Sequence, residues 1–258
     1  MRWKWTEYPV AILFIAAVAT LGISGGRVDA LTDAEARAAL DEVQRLAGEQ
    51  AYTEARLTFA VVKSNRPEAI EAIDGLKMAV VMAIVGNEAA LLTHSRWLLD
   101  RYAGSMAATD AERSVKGYLV YPGEKDPELL ARAVERARFA VEQAVAAGDS
   151  ELLPWFHVSL GIAEFRAGDY AAAAKWLCKG TDNETLYIRG LALPFAAMTA
   201  RALGNPAEAE ELLNRARETA AELPEPGTGE YIEEWTDTEV IKMAMAEAEA
   251  DLGNTRLD

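Results

Sequence analysis

The sequence predicts an all-α fold, a stack of helical hairpins behind one N-terminal apolar helix. Three observations predict it. Helix-start signals recur along the chain, glycines close the runs that follow them, and the apolar residues between keep a helical period. No stretch alternates as a strand does; Tyr118-Leu-Val-Tyr121 comes nearest, and it lies inside a helical pattern.

The starts come in two kinds. Thr32-Asp-Ala-Glu35, Thr109-Asp-Ala-Glu112 and Thr236-Asp-Thr-Glu239 match the capping box, in which the threonine hydroxyl accepts an amide proton and the glutamate reaches back. Asp126-Pro127 and Asn205-Pro206 place a cap residue before a proline suited to a first helical turn. After Asp126, Leu130, Val134, Ala137, Val141 and Val145 recur at three- or four-residue steps, which is one apolar face. Gly48, Gly86, Gly148, Gly168 and Gly204 each follow such a run, as a helix C-terminal glycine does. Gly48 and Gly86 are 38 positions apart, and Gly168 and Gly204 are 36 apart. Spacings of this size between hairpins read as a helical solenoid.

The first thirty residues are a separate segment. Arg2 and Lys4 precede an apolar run, Val10 to Ile23, and Val28-x-Ala30 follows. This fits a secretory signal cleaved after Ala30. It equally fits a retained anchor over residues 1–26, with Trp3, Trp5 and Tyr8 at the interface. Both readings place residues 31–258 outside the cytoplasm, on the periplasmic side in a bacterium.

The 258 residues suffice for a real core. A formal charge of −15 argues against nucleic acid, whose binders carry a basic face. The single cysteine, Cys178, excludes an internal disulfide and a cysteine-based zinc site. Only two histidines are present, His94 and His157. His157 has Glu164 two turns on, a spacing open to general-base chemistry, but a helix histidine filling a bulky position accounts for it as well. Cys178 follows Trp176-Leu177 as a small buried apolar residue would. No G-x-S-x-G occurs, and the glycine-bearing GISGGR and PGTGE end in no Gly-Lys-Ser/Thr. The acidic cluster Glu230, Glu233, Glu234, Asp237 and Glu239 lacks EF-hand spacing and reads as a helix start. Asn183-Glu-Thr185 is a glycosylation sequon, relevant only in a eukaryotic secretory pathway. The expectation is therefore no catalytic, cofactor-binding or metal-binding residue.

LGIAEFRAGDYAAAAKWLCKG, from Leu160 to Gly180, resembles a tetratricopeptide repeat (TPR). Leu160-Gly161, Ala163 and Phe165 stand at the first-helix positions, Gly168-Asp169-Tyr170 at the turn, and Ala173 and Leu177 in the second helix. A second copy is carried by Gly204, Pro206, Ala209, Leu213 and Ala216. The clearest repeats span about 154–181 and 190–219, with weaker ones over 31–67 and 73–102. His157 occupies the family's tryptophan position, the two best copies sit two residues further apart than the 34-residue unit, and Pro194 falls inside an expected first helix, which would kink or start late. Over roughly residues 75–252 the order of segments is similar to TPR tails that follow kinase or β-propeller modules in bacterial multidomain proteins.

The resemblance implies a right-handed solenoid whose first helices line a concave groove. Matched residue by residue, the groove positions are Trp155, Val158, Ile162, Phe165 and Arg166, then Leu191, Met198 and Arg201. They are mostly apolar and suit an apolar partner segment. Val158 and Ile162 stand where the family's carboxylate-clamp type has lysine and asparagine, so an acidic C-terminal tail is not the expected ligand. The same side chains are equally open to being covered by Leu130 to Val145 of the preceding helix. The functional expectation is a non-catalytic extracytoplasmic adaptor for a protein partner. The alternative is a permanent accessory subunit of a membrane complex, held by the N-terminal helix.

Overall fold

The computed structural model describes residues 31–123 and 125–253. The signal or anchor expected over residues 1–30 lies outside them. Among the described residues there are eleven α-helices, one short 3-10 turn and no strand. None of these helices is long and apolar enough to cross a membrane. The sequence pattern drew residues 31–258 as one array; the chain divides into two compact units, with the boundary between Glu71 and Ala72.

The first unit holds α1 (Asp33–Gly48) and α2 (Tyr52–Asn65), packed on each other, and a 3-10 turn at Pro67–Ala69. Thr32 caps α1 with a full capping box: its hydroxyl accepts from the Glu35 amide at 3.3 Å, and the Glu35 carboxylate accepts from the Thr32 amide at 2.8 Å. Gly48 ends inside α1, and the left-handed residue after the helix is Gln50, with φ 60°. The helix therefore stops where the glycine predicted, but the left-handed turn falls two residues later. Arg66 ties the end of α2 to the start of α1 through Asp33, at 2.7 Å.

The second unit holds nine helices: α3 (Ala72–Ile84), α4 (Glu88–Tyr102), α5 (Ala108–Val120), α6 (Pro127–Ala147), α7 (Leu153–Arg166), α8 (Tyr170–Leu177), α9 (Leu186–Ala202), α10 (Pro206–Ala220) and α11 (Gly229–Gly253). Two layers follow from their contacts. The odd-numbered helices pack on one another in the order α3, α5, α7, α9 and α11, and the even-numbered ones pack on their chain neighbours outside that row. Helix α11 also packs on α3 and α5, so the last helix of the row returns to the first. The spans 154–181 and 190–219 hold the pairs α7–α8 and α9–α10, and 73–102 holds α3–α4.

The turns share one grammar. Gly86, Gly148, Gly168 and Gly204 all take positive φ, and each is followed by Asn or Asp. The Asn87 carboxamide oxygen then accepts from the Ala90 amide at 3.1 Å, and the Asp169 carboxylate from the Ala172 amide at 2.9 Å. Asp126 caps α6 in the same way through the Leu129 amide at 2.8 Å. Asn205 makes no such cap; its side chain donates to Glu208 instead.

Two of the expected starts are displaced. Helix α5 begins at Ala108, so Thr109 lies in its first turn, and Glu112 turns inward. Helix α11 begins at Gly229, well upstream of Thr236; the Thr228 hydroxyl caps it by accepting from the Tyr231 amide at 3.1 Å. Nor does Pro194 delay α9, which runs unbroken from Leu186 past it to Ala202.

Small residues let the odd-numbered helices approach. A Cβ added at Gly117 of α5 would lie 2.5 Å from the Ala79 Cβ of α3, backbone-near atoms that cannot swing aside. Gly117→Ala is therefore expected to cost about 1–3 kcal/mol by overpacking, whereas Gly104→Ala, with nothing within 4 Å, should be near neutral. Urea denaturation of the two variants beside the parent checks this.

Candidate functional site

The groove candidates do not form one open surface. Val158, Ile162, Leu191 and Met198 are all buried, Ile162 at 0% exposure, so these four belong to the core. Phe165 is half-buried and packs edge-on against Phe195 of α9 and tilted against Tyr170. Arg166 is turned inward to Glu247 of α11, its side chain 7% exposed. Arg201 pairs with Asp251 of α11 at 3.3 Å. A Cβ at Gly190 of α9 would meet Ile241 of α11 at 2.9 Å, so α11 lies directly on that helix. The preceding helix α6, from which cover was anticipated, does pack on α7, with Ala137 and Val141 buried, although Val145 at its end is 60% exposed.

Trp155 alone of the eight faces a cleft. This cleft, of about 270 Å³, is lined from α3 by Ile73, Leu76 and Lys77 and from α5 by Glu112, Arg113 and Lys116. Trp155 and Phe156 of α7 form an aromatic wall, and Glu233, Glu234, Thr236 and Asp237 of α11 complete it. Four odd-numbered helices meet here near their N-terminal ends, which is where the row opens.

The floor is a buried charge cluster. Lys116 is 5% exposed; its ammonium lies 3.6 Å from Glu112, 3.4 Å from Asp237 and 4.3 Å from the centre of the Trp155 ring. Burial alone would lower the Lys116 pKa, but the negative charges of Asp237 and Glu112 and their hydrogen bonds outweigh it, and the net shift is upward. Glu112 also accepts a hydrogen bond from the Ser159 hydroxyl at 2.7 Å. At the rim, burial first and then the charges of Asp237, Glu233 and Glu230 raise the Glu234 pKa, with Lys77 opposing. The Thr236 hydroxyl is buried with no hydrogen-bond partner among the described residues.

Neither reactive candidate stands in this cleft. His157 stacks on Trp176 at 5.3 Å, with the Lys179 ammonium 3.5 Å from its Nε2. Burial, and then the Lys179 charge, lower its pKa to about 4. Glu164 is taken by Arg138 at 2.7 Å, so the imagined histidine–carboxylate pair is not assembled. Cys178 is exposed. Among the described residues no group of three or more histidine, cysteine, aspartate or glutamate side chains is placed to hold a metal ion. Sequence reasoning missed Lys116, Glu112 and Ser159; Lys116 lies one turn after Glu112 in a run otherwise buried, and that was the available signal. No family model, curated protein or solved structure matches this chain.

Lys116→Met would leave Glu112 charged and buried, and is expected to cost about 3–5 kcal/mol. The double variant Lys116→Met/Glu112→Leu should recover much of that loss in the same urea denaturation assay. His157 predicts a pH effect. The unfolded chain takes a proton near pH 6.5 that the native state refuses down to about 4. The contribution of neutral His157 to stability is thus present at higher pH and lost as pH falls through that window. The stability difference between the parent and His157→Gln should shift against the parent there, and stay constant above it.

Proposed function

We propose that this chain is a non-catalytic, extracytoplasmic TPR-like adaptor that binds a protein partner. The observation that carries the reading is the α7–α8 hairpin. It joins the TPR-like residues Leu160, Gly161, Ala163, Gly168, Asp169, Tyr170, Ala173 and Leu177 to a close helix pair, with Gly161 against Leu177 at the crossing. The layering of odd- and even-numbered helices supports a solenoid in the second unit. The acidic composition supports a partner with basic flanks, drawn by charge. The contact surface is assigned to the cleft at Trp155, because the apolar groove positions are enclosed. Localisation outside the cytoplasm rests on the sequence of residues 1–30.

The apolar run Val10 to Ile23 also favours the second reading, a permanent subunit of a membrane complex. Purification of the native protein in detergent tests both. A partner that dissociates as salt rises supports the adaptor. Co-elution at fixed stoichiometry through high salt supports the subunit, and a chain that elutes alone at every salt refutes both. A reporter fused after Asp258 should be active only if it requires export; activity of a cytoplasm-only reporter overturns the localisation.

A further inference from the structure

We propose that the cleft between α3, α5, α7 and α11 receives a basic side chain, arginine or lysine, from the protein partner. This deepens the adaptor reading and rests on it. The charge balance of the cleft is the first argument. Its three cations are Lys77, Arg113 and Lys116, and its four anions are Glu112, Glu233, Glu234 and Asp237. Lys116 already neutralises part of Glu112 and Asp237. Among the described residues, Glu233 and Glu234 have neither an ion pair nor a hydrogen bond to their carboxylates. They make no direct pair on the α11 side, with only the Lys77 charge bearing on Glu234, and Arg113 on the α5 side would turn a second cation away.

The second argument is independent of charge. Thr236 lines the same cleft and is 8% exposed, and its hydroxyl oxygen is unpartnered among the described residues. A buried polar atom without a partner marks a place where a group from outside completes the hydrogen bonding. An N–H donor that entered deeply enough to reach that oxygen would satisfy it, in a cleft that Glu233 and Glu234 also line. Shape agrees with this. Ile73, Leu76 and Phe156 offer apolar surface for the alkyl stem of a long basic side chain. A volume of about 270 Å³ falls below the roughly 300–1,000 Å³ of small-molecule pockets and suits one side chain. The Glu234 pKa is raised by burial first and then by the charges of Asp237, Glu233 and Glu230, and an entering cation would offset the second of these causes.

The test uses the full-length chain in detergent micelles and three capped tripeptides, glycyl-X-glycine with X arginine, citrulline or glutamate. Calorimetry at low salt measures affinity, and the indole resonance of Trp155 reports the place. The expected result is saturable binding of the arginine peptide that shifts Trp155, with the citrulline peptide at least tenfold weaker and the glutamate peptide silent. Glu233→Gln/Glu234→Gln should weaken the arginine peptide at least tenfold with an unchanged circular dichroism spectrum, and Thr236→Val should weaken it severalfold. Equal binding of arginine and citrulline, binding of the glutamate peptide, or an unaltered affinity in the double glutamine variant would overturn the proposal. The adaptor reading fails separately. If the parent captures no partner from the membrane fraction while the arginine peptide still shifts Trp155, the cleft stands and the adaptor falls. Should parent and double variant capture a partner equally, the cleft assignment falls and the adaptor stands.

Discussion

Arg166 is the constraint on which the second unit depends. It stands at the last turn of α7, and its guanidinium donates to the Leu119 carbonyl at 2.8 Å and to the Val120 carbonyl at 3.3 Å. Those are end-of-helix carbonyls of α5, which have no partner within their own helix. The same guanidinium pairs with Glu247 of α11 and lies over the rings of Phe165 and Phe195. One side chain therefore ties α5, α7, α9 and α11 at one end of the row. An enclosed guanidinium is tolerable only when its donors are met, and here carbonyl and carboxylate acceptors meet them. Arginine suits the position because its planar fork reaches several acceptors at once; a lysine ammonium would not span them.

The opposite end of the row is organised by another buried cation. Lys116 with Glu112, Asp237 and Ser159 joins α5, α7 and α11 near their N-termini. Between the two charged ends lies apolar packing that includes Ile162, Leu191, Met198, Trp235 and Ile241, all buried. Charged ties at both ends fix the register of α11 along the row, while the apolar middle supplies most of the burial energy. This division explains why α11 carries little amphipathic contrast in its sequence. It is contacted by α9, α10, α3 and α5, so its buried residues lie on more than one face.

Much of the second unit was legible from local chemistry. The left-handed glycines at positions 86, 148, 168 and 204 each have an Asn or Asp behind them, so the turns are determined within a few residues, and at Asn87 and Asp169 the cap is as well. Asp126-Pro127 was legible for the same reason. Thr109 and Thr236 were not, because a capping box describes a compatible sequence, and tertiary contacts decided the boundaries: Glu112 was drawn to Ser159 and Lys116, and Glu239 to Tyr231 and Lys242. Of the groove positions, Val158, Ile162, Leu191 and Met198 are buried. A residue-by-residue match to a repeat names one face of α7 or α9 but carries no information about what covers it. Val158 and Ile162 look alike whether they face a partner or the protein's own interior. The cleft was invisible in the same sense, since Lys77, Lys116, Trp155 and Glu234 come from four helices far apart in the chain.

The enclosure of the apolar row restricts how a partner can bind. Leu191 and Met198 lie buried in α9, which packs on α11, and a partner helix that took the place of α11 would have to displace it. That would expose Tyr231, Trp235, Val240 and Ile241, each buried to within about a hundredth of its surface, at roughly 1.5–3 kcal/mol apiece for large apolar side chains. It would also strand Arg166 and Lys116 without Glu247 and Asp237. An incoming helix would need to restore nearly all of this before gaining any net affinity, and only the surplus over the displaced contacts appears as binding. A partner that docks on the open end of the row faces no such deficit. There Trp155 and the carboxylates of Glu233 and Glu234 line the cleft without any helix having to move. For the proposed adaptor, side-chain insertion at the cleft would therefore disturb less of the fold than helix exchange in the groove.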